Sequence, residues 1–334
     1  MQQKTNISIN AALDLVRQAF VASGLNEQAA QSVARALVMA EAEGQVGHGF
    51  SRVGDYIAQM KSGKINANAT PIVVSQSPSY LHVSADNGFA YPALDYAIGQ
   101  AVIMSEQTGC VAIAVSQSNH CGTLASHVEK LADQGLIGIM VANTPAAIAP
   151  WGGNTPLYGT NPIAFAAPRG GKDPLVIDLS LSVVARGKVM NAKKTGQSIP
   201  EGWALDKNGL PTTDPNAALD GGTMVPIGDA KGTALALMVE ILAASLTGAN
   251  TSADMPSFFA ESGPSANAGQ FLIVIKPSDL NGFTTRIDAL LTQIAETPGA
   301  RLPGRRRIEA RNHAKTDGLN VATQYITDIQ SMLG

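Results

Sequence analysis

The chain has 334 residues, 45% hydrophobic and 15% charged, with a net charge of −3. That balance excludes a disordered chain, allows a core large enough for two domains, and gives no reason to expect nucleic acid or an anionic membrane as partner. Two cysteines, Cys110 and Cys121, leave no disulfide framework to read, and the first residues, MQQKTNISIN, hold no apolar signal core. The longest apolar run, 234–246, is interrupted by Glu240 and is too short for a bilayer, so the expectation is a cytoplasmic protein.

Residues 10–22 place Leu13, Val16, Ala19 and Phe20 on one helical face, with Gly24 as a stop. Asn26 caps a second helix over 27–43, with Ala30, Val33, Ala34 and Leu37 inward. The stretch Gly47-His48-Gly49-Phe50-Ser51-Arg52 comes next, then a helix over 53–61 ended by Gly63. After Pro71 the texture changes: strands at 72–74 and 80–83, a helix over 90–107, a buried strand at 111–115, a polar loop at 116–122, a helix over 124–134 and a strand at 138–142. This alternation predicts an α/β core.

Residues 143–162 are turn-rich, and 163–167 and 175–179 pair as a hairpin around Arg169-Gly170-Gly171-Lys172. A helix over 182–192 and a long loop over 195–228 follow. The apolar helix 230–246 is expected to be buried, and the Ser-, Ala- and Gly-rich segment 249–269 to be mobile. A strand at 271–275, a helix over 283–296 and a loop over 298–307 lead to a closing helix, 316–332, burying Leu319, Val321, Tyr325, Ile326 and Ile329.

No G-x-G-x-x-G follows a strand, and no Walker loop, G-x-S-x-G or H-E-x-x-H occurs. His48 and Arg52 face the same way if their stretch is helical, pairing a proton donor with a fork that matches a carboxylate. On spacing alone the default for such a pair is structural. Ser118-Asn119-His120-Cys121-Gly122 joins a strand to a helix, a place for a phosphate or a reacting group, or merely a satisfied turn. His120, Cys121 and His127 lack a fourth ligand at zinc-like spacing, so no metal is expected. Thr160 closes a turn, Asp178 ends a strand, Arg186 and Lys188 follow on a helix, and Asp229 and Lys231 head the apolar helix. Arg301, Arg305, Arg306, Arg307 and Arg311 form either a solvated surface or a phosphate site.

Seven blocks in one order carry a resemblance across nearly the whole chain: GHGFSR (47–52), SNHCGTL (118–124), YGTNPIAFAAP (158–168), VIDLSLSVVARGKV (176–189), IPEGWALDKNGLPTTDP (199–215), AKGTALALMVEILAASLTG (230–248) and RLPGRRR (301–307). With them the chain resembles the type 2 malate/L-lactate dehydrogenase family, and looks most like its Δ1-pyrroline-2-carboxylate/Δ1-piperideine-2-carboxylate reductases. The resemblance implies an α/β fold with a non-Rossmann, mixed-sheet nicotinamide-binding domain at 71–283, a helical domain from both chain ends (1–70 and 284–334), and a homodimer.

By resemblance His48 is the proton donor and Arg52 the carboxylate clamp, with Thr160, Arg186 and Gly187 also on the substrate. His120, Cys121, Gly122, Thr123, Leu124, Asp178, Leu179, Ser180, Asp229 and Lys231 are expected at the cofactor. So are Arg301, Leu302, Pro303, Gly304, Arg305, Arg306 and Arg307. In ureidoglycolate-type relatives the residue matching His120 is the base, so both histidines are catalytic candidates. The implied reaction is hydride transfer from NADPH, or NADH, to C2 of a cyclic 2-imino carboxylate. The alternatives are a 2-hydroxyacid dehydrogenase and a catalytically silent binding protein. Two positions depart from the ketimine-reductase pattern: Gly47 stands where a serine is expected and Lys188 where an aspartate is.

Overall fold

The computed structural model describes residues 3–333. Ser8 and Asn26 cap the first two helices, α1 (Ile9–Ala22) and α2 (Glu27–Ala42), each side chain accepting a backbone N–H of the first turn. With α3 (Val53–Lys61) they bury Val16, Phe20, Val33, Leu37, Tyr56 and Ile57 in a helical core. The far end of the chain completes that core. β1 (Lys4–Ile7) pairs antiparallel with β12 (Leu319–Ala322), and Leu319, Val321, Ile326 and Ile329 pack inward.

The end of the chain therefore differs from the expected closing helix. It is α10 (Arg305–Asp317), then β12, then α11 (Thr323–Ser331). Leu319 and Val321 are buried at alternate positions, a period of two that fits a strand. Gly318, at φ +79°, breaks the helix ahead of them.

The second core surrounds a seven-stranded mixed sheet. Its strands are β2 (Ile72–Ser77), β3 (Tyr80–Ser84), β4 (Cys110–Ser118), β5 (Ile137–Ala142), β6 (Ile163–Ala167), β7 (Leu175–Leu179) and β11 (Ala268–Ile275), in the order β2-β3-β4-β11-β5-β6-β7. Only β3 and β4 run parallel; the other neighbours are antiparallel. That order departs from a doubly wound parallel sheet and accounts for the missing glycine fingerprint. α4 (Ala90–Thr108) and α5 (Ala125–Ala132) cover one face. On the other lie α6 (Arg186–Thr195) and α8 (Ala230–Glu240), with a small sheet of β8 (Ala204–Leu205), β9 (Pro211–Thr212) and β10 (Thr223–Met224) and the short α7 (Pro215–Leu219). α9 (Leu280–Glu296) attaches to the β6–β7 hairpin, where its Asp288 pairs with Arg169 and Lys172.

Because β4, β5 and β7 point the same way, their C-terminal ends share one edge of the sheet, and β6 and β11 begin there. Two other expectations change. The apolar helix is only half buried: Ala236, Val239 and Ala243 face the core, while Leu235, Leu237, Met238 and Ile241 are exposed. Residues 249–269 are held in place instead of loose. Buried Glu240 accepts hydrogen bonds from the Ser252 N–H and hydroxyl (2.6 Å each), and Met255 and Phe258 are buried. No described helix is long and apolar enough to cross a membrane.

Candidate active site

One cleft of about 2790 Å³ runs between the helical core and that shared sheet edge. It brings together most of the residues singled out from sequence. His48, Arg52, residues 120–124, Thr160, residues 178–180, Arg186, Gly187, Lys188 and residues 301–307 all line it. Asp229 and Lys231 do not. They sit at the exposed head of α8, Asp229 at φ +57°, as helix-entry residues outside this cleft.

The stretch 47–52 is two 3-10 turns, Val46–His48 and Phe50–Arg52, separated by Gly49. A Cβ at Gly49 would sit 2.1 Å from a Glu41 carboxylate oxygen, which accepts the Phe50 N–H at 3.1 Å. Glycine there lets Glu41 tie the stretch to α2. A Cβ at Gly47 would meet nothing within 4 Å, so the serine expected at that position has room.

Arg52 is 4% exposed and fixed three ways: Nε donates to the Gly47 carbonyl (3.2 Å), Nη1 to Asp55 (3.1 Å), and the guanidinium lies 4.0 Å from the Phe259 ring centroid. An arginine stacked on an aromatic face keeps its in-plane N–H edge available to a carboxylate. His48 stacks on His120 with ring centroids 5.2 Å apart, and Phe258 covers His120 at 5.1 Å. His120 Nδ1 is 2.6 Å from the Tyr56 hydroxyl, which also contacts the Tyr91 hydroxyl at 3.0 Å. Burial, reinforced by nearby Arg52, pushes the His48 pKa down to about 4. The same causes, with His48 added, hold His120 well below the usual histidine value. Both rings are therefore neutral at pH 7, and His48 Nδ1 meets no partner among the described residues. Burial pushes the Tyr56 hydroxyl up to about 12, so it stays protonated.

The loop after β4 is organised inward. His127 Nε2 lies 2.9 Å from the Cys121 carbonyl, and burial, with Asp178 nearby, pushes the Cys121 thiol up to about 12. Asp178 Oδ2 accepts the Ala125 N–H at 2.8 Å, so the protein's own carboxylate already takes part of the N-terminus of α5. Thr160 is tied to Thr144 through its N–H (2.9 Å) and its hydroxyl (3.2 Å). Arg186 donates to the Ala146 carbonyl at 2.7 Å.

The basic cluster divides in two. Arg301, Arg305 and Arg306 are exposed along the cleft. Arg307 and Arg311 are 8% and 9% exposed and engaged elsewhere. Arg307 reaches Glu43 (2.7 Å) and both oxygens of Glu129 (2.7 and 3.1 Å), and Arg311 reaches Glu43, Glu129 and Asp173. Arg307 thus lines the cleft as part of a buried ion network, with both terminal nitrogens already on carboxylates.

Sequence reasoning missed the wall made by Phe258 and Phe259. Its anchors come from α3 and the turn after it: Gln59 Nε2 donates to the Phe258 and Ala260 carbonyls (2.9 and 3.0 Å), and buried Lys64 Nζ to those of Ser257 and Ala260 (2.6 and 2.8 Å). Two adjacent phenylalanines in a polar, glycine-rich segment were the available signal.

A neutral histidine pair, a carboxylate-sized arginine fork and a cleft far larger than a drug-sized site suit a small acid held beside an extended cofactor. The family model for malate/L-lactate dehydrogenase matches residues 7–330, and the chain belongs to that family. It is an NAD(P)-dependent oxidoreductase. The chain is 48% identical to a (2R)-3-sulfolactate dehydrogenase (NADP(+)) of Chromohalobacter salexigens, over 97% of each chain. It is 36% identical to a Δ1-pyrroline-2-carboxylate/Δ1-piperideine-2-carboxylate reductase of Pseudomonas syringae pv. tomato, over 100% of this chain and 98% of the relative. Among solved structures, the Δ1-piperideine-2-carboxylate reductase of Pseudomonas syringae superposes with a TM-score of 0.92 at 36% identity, covering 98% of this chain and 99% of the other.

Proposed function

We propose that the enzyme interconverts a 2-hydroxy acid and its 2-oxo acid with NADP(H), and that the acid carries a second anionic group, as 3-sulfolactate does. Lys188 carries this reading. It lines the cleft as an exposed cation at 6.0 Å from the Trp203 ring centroid, two residues after Arg186, and stands where ketimine reductases are expected to have an aspartate. A lysine suits a dianion, and an aspartate in its place would repel one. Lys193 and Lys194 of the same helix also border the cleft. The 48% relative acts on such a dianion by its name, against 36% for the reductase.

The cofactor fits the cleft's own groups. Exposed Arg301, Arg305 and Arg306 offer forked donors for phosphate at one stretch of wall, and the histidines and Arg52 stand on another. When bound, NADP(H) supplies or takes the hydride at C2. The free edge of Arg52 receives the carboxylate and fixes the acid's orientation. His48, neutral at pH 7, accepts the hydroxyl proton during oxidation and returns it during reduction. Two substrate charges enclosed beside the histidines favour the imidazolium, so the rings become proton carriers when the site is filled.

Steady-state assays test this reading. The expected order of kcat/KM is 3-sulfolactate, then malate, then lactate, and Lys188→Ala costs the dianions on the order of tenfold and lactate little. The second reading is reduction of a cyclic 2-imino carboxylate, supported by the 36% relative and the solved reductase. Faster turnover of pyrroline-2-carboxylate than of every 2-oxo acid would replace the first reading with the second.

A further inference from the structure

Five buried carboxamide side chains lie in or behind the cleft walls: Gln59, Asn119, Asn143, Asn161 and Gln270. Four are engaged. Gln59 holds the Phe258 and Ala260 carbonyls. Asn119 donates to the Gly88 carbonyl at 2.9 Å. Asn143 donates to the Asn250 carbonyl (2.7 Å) and accepts the Gly269 N–H (2.9 Å). Asn161 donates to the Ala236 carbonyl and to Glu240, both at 2.9 Å. Gln270 is the exception. It is 1% exposed, borders the cleft, and its Oε1 meets no donor among the described residues.

Its place in the sheet gives that orphan oxygen meaning. Gln270 lies near the start of β11, opposite Val115 of β4 and Ala142 of β5. It therefore stands at the shared edge, between the strand leading to His120 and the turn carrying Thr144, to which Thr160 is bonded. A buried carbonyl without a donor is costly, and a native fold keeps one mainly where a ligand or water supplies the missing N–H or O–H. The carboxylate and second anionic group of the substrate are acceptors, as are the cofactor phosphates. The nicotinamide carboxamide is a donor.

We propose that Gln270 is a cofactor-binding residue whose amide turns toward the cleft on binding, so that Oε1 accepts an N–H of the nicotinamide carboxamide and fixes the rotation of the ring beside the histidines. This rests on the NADP(H) dependence of the enzyme and not on which acid it uses.

Binding titrations test it with three probes: NADPH, its 3-acetylpyridine analogue, which has a methyl in place of the carboxamide nitrogen, and 2′,5′-ADP, which has no nicotinamide. The wild-type enzyme is expected to bind NADPH about tenfold more tightly than the analogue. Gln270→Met removes that preference and leaves the 2′,5′-ADP Kd unchanged. Gln270→Glu keeps an acceptor and keeps the preference. Thermal melts confirm folding, and Gln270→Leu is read if the methionine variant does not fold. Three outcomes overturn the proposal. One is an unchanged preference in the methionine variant. Another is an equal loss of NADPH and 2′,5′-ADP affinity, which assigns the oxygen to the adenine amine or to a collapsed site. The third is a changed KM for the acid alone, which assigns it to the substrate hydroxyl.

Discussion

On one part of the cleft wall, His48, His120 and Arg52 are packed among Phe258, Phe259 and each other, with Tyr56 behind them. On another, Arg301, Arg305 and Arg306 stand in solvent, while the next residue, Arg307, is buried between Glu43 and Glu129. The histidine end keeps its bases neutral by shielding them from water, so one proton or one substrate charge changes the energy there substantially. The arginine end keeps its charges hydrated, where each ion pair is worth little. Arg307 belongs to neither: it ties α2, α5 and α10 together in the cleft wall. On the proposed reading, dry groups set the rate, buried pairs set the frame, and wet groups tune affinity.

Four measurements test that division. His48→Asn in the dry end is expected to lower kcat on the order of a thousandfold, with cofactor Kd unchanged. His120→Asn is the matching variant, and a larger loss there moves the proton to His120. For the frame, Arg307→Met leaves Glu43 and Glu129 with Arg311 alone and is expected to cost about 3–5 kcal/mol in urea unfolding. Glu43 feels the frame less than Glu129. Burial pushes the Glu43 carboxyl up despite Arg307, whereas at Glu129 the two arginines outweigh burial and hold it low.

The third measurement is pH dependence of stability. His127 is fully buried, and burial, reinforced by Lys130, pushes its pKa down to about 4. The unfolded chain, titrating near 6.5, binds more protons between those values, so stability is complete above pH 6.5 and falls as pH drops toward 4. His127 contributes up to about 3 kcal/mol of that fall. His48 and His120 act in the same direction. A flat stability profile from pH 7 to pH 4 would contradict the neutral state of all three rings.

Much of this site was legible in the sequence, because each motif sits at the end of a strand or the start of a helix. GHGFSR, SNHCGTL, the Asp178 strand end and RLPGRRR all reach the cleft, although only the resemblance drew them together. Local pattern failed where tertiary pairing decided. Leu319 and Val321 suit either a helix or a strand, and pairing with β1 decided for the strand. Residues 249–269 read as mobile because two of their anchors, Gln59 and Lys64, lie far away in the chain. Arg307 reads like its neighbours, yet the helical phase of α10 turns it toward Glu129. Gln270 gave no sign in a strand of apolar residues, since an orphan oxygen is visible only once its neighbours are placed.

The smallest effect belongs to the wet end. Arg306 is exposed beside the cleft, and Arg305 already shares its charge with Glu309 at 2.6 Å. A 2′-phosphate carries up to two negative charges that NADH lacks, so Arg306→Ala is expected to raise the Kd of NADPH a few-fold and leave that of NADH unchanged. The effect shrinks further as ionic strength rises, because a solvated pair is screened over about 10 Å at 0.1 M salt. A loss of NADPH affinity above about thirtyfold, or one indifferent to salt, would mean that this arginine closes over the phosphate and becomes buried on binding, and the arginine end would then be dry in the working enzyme as well.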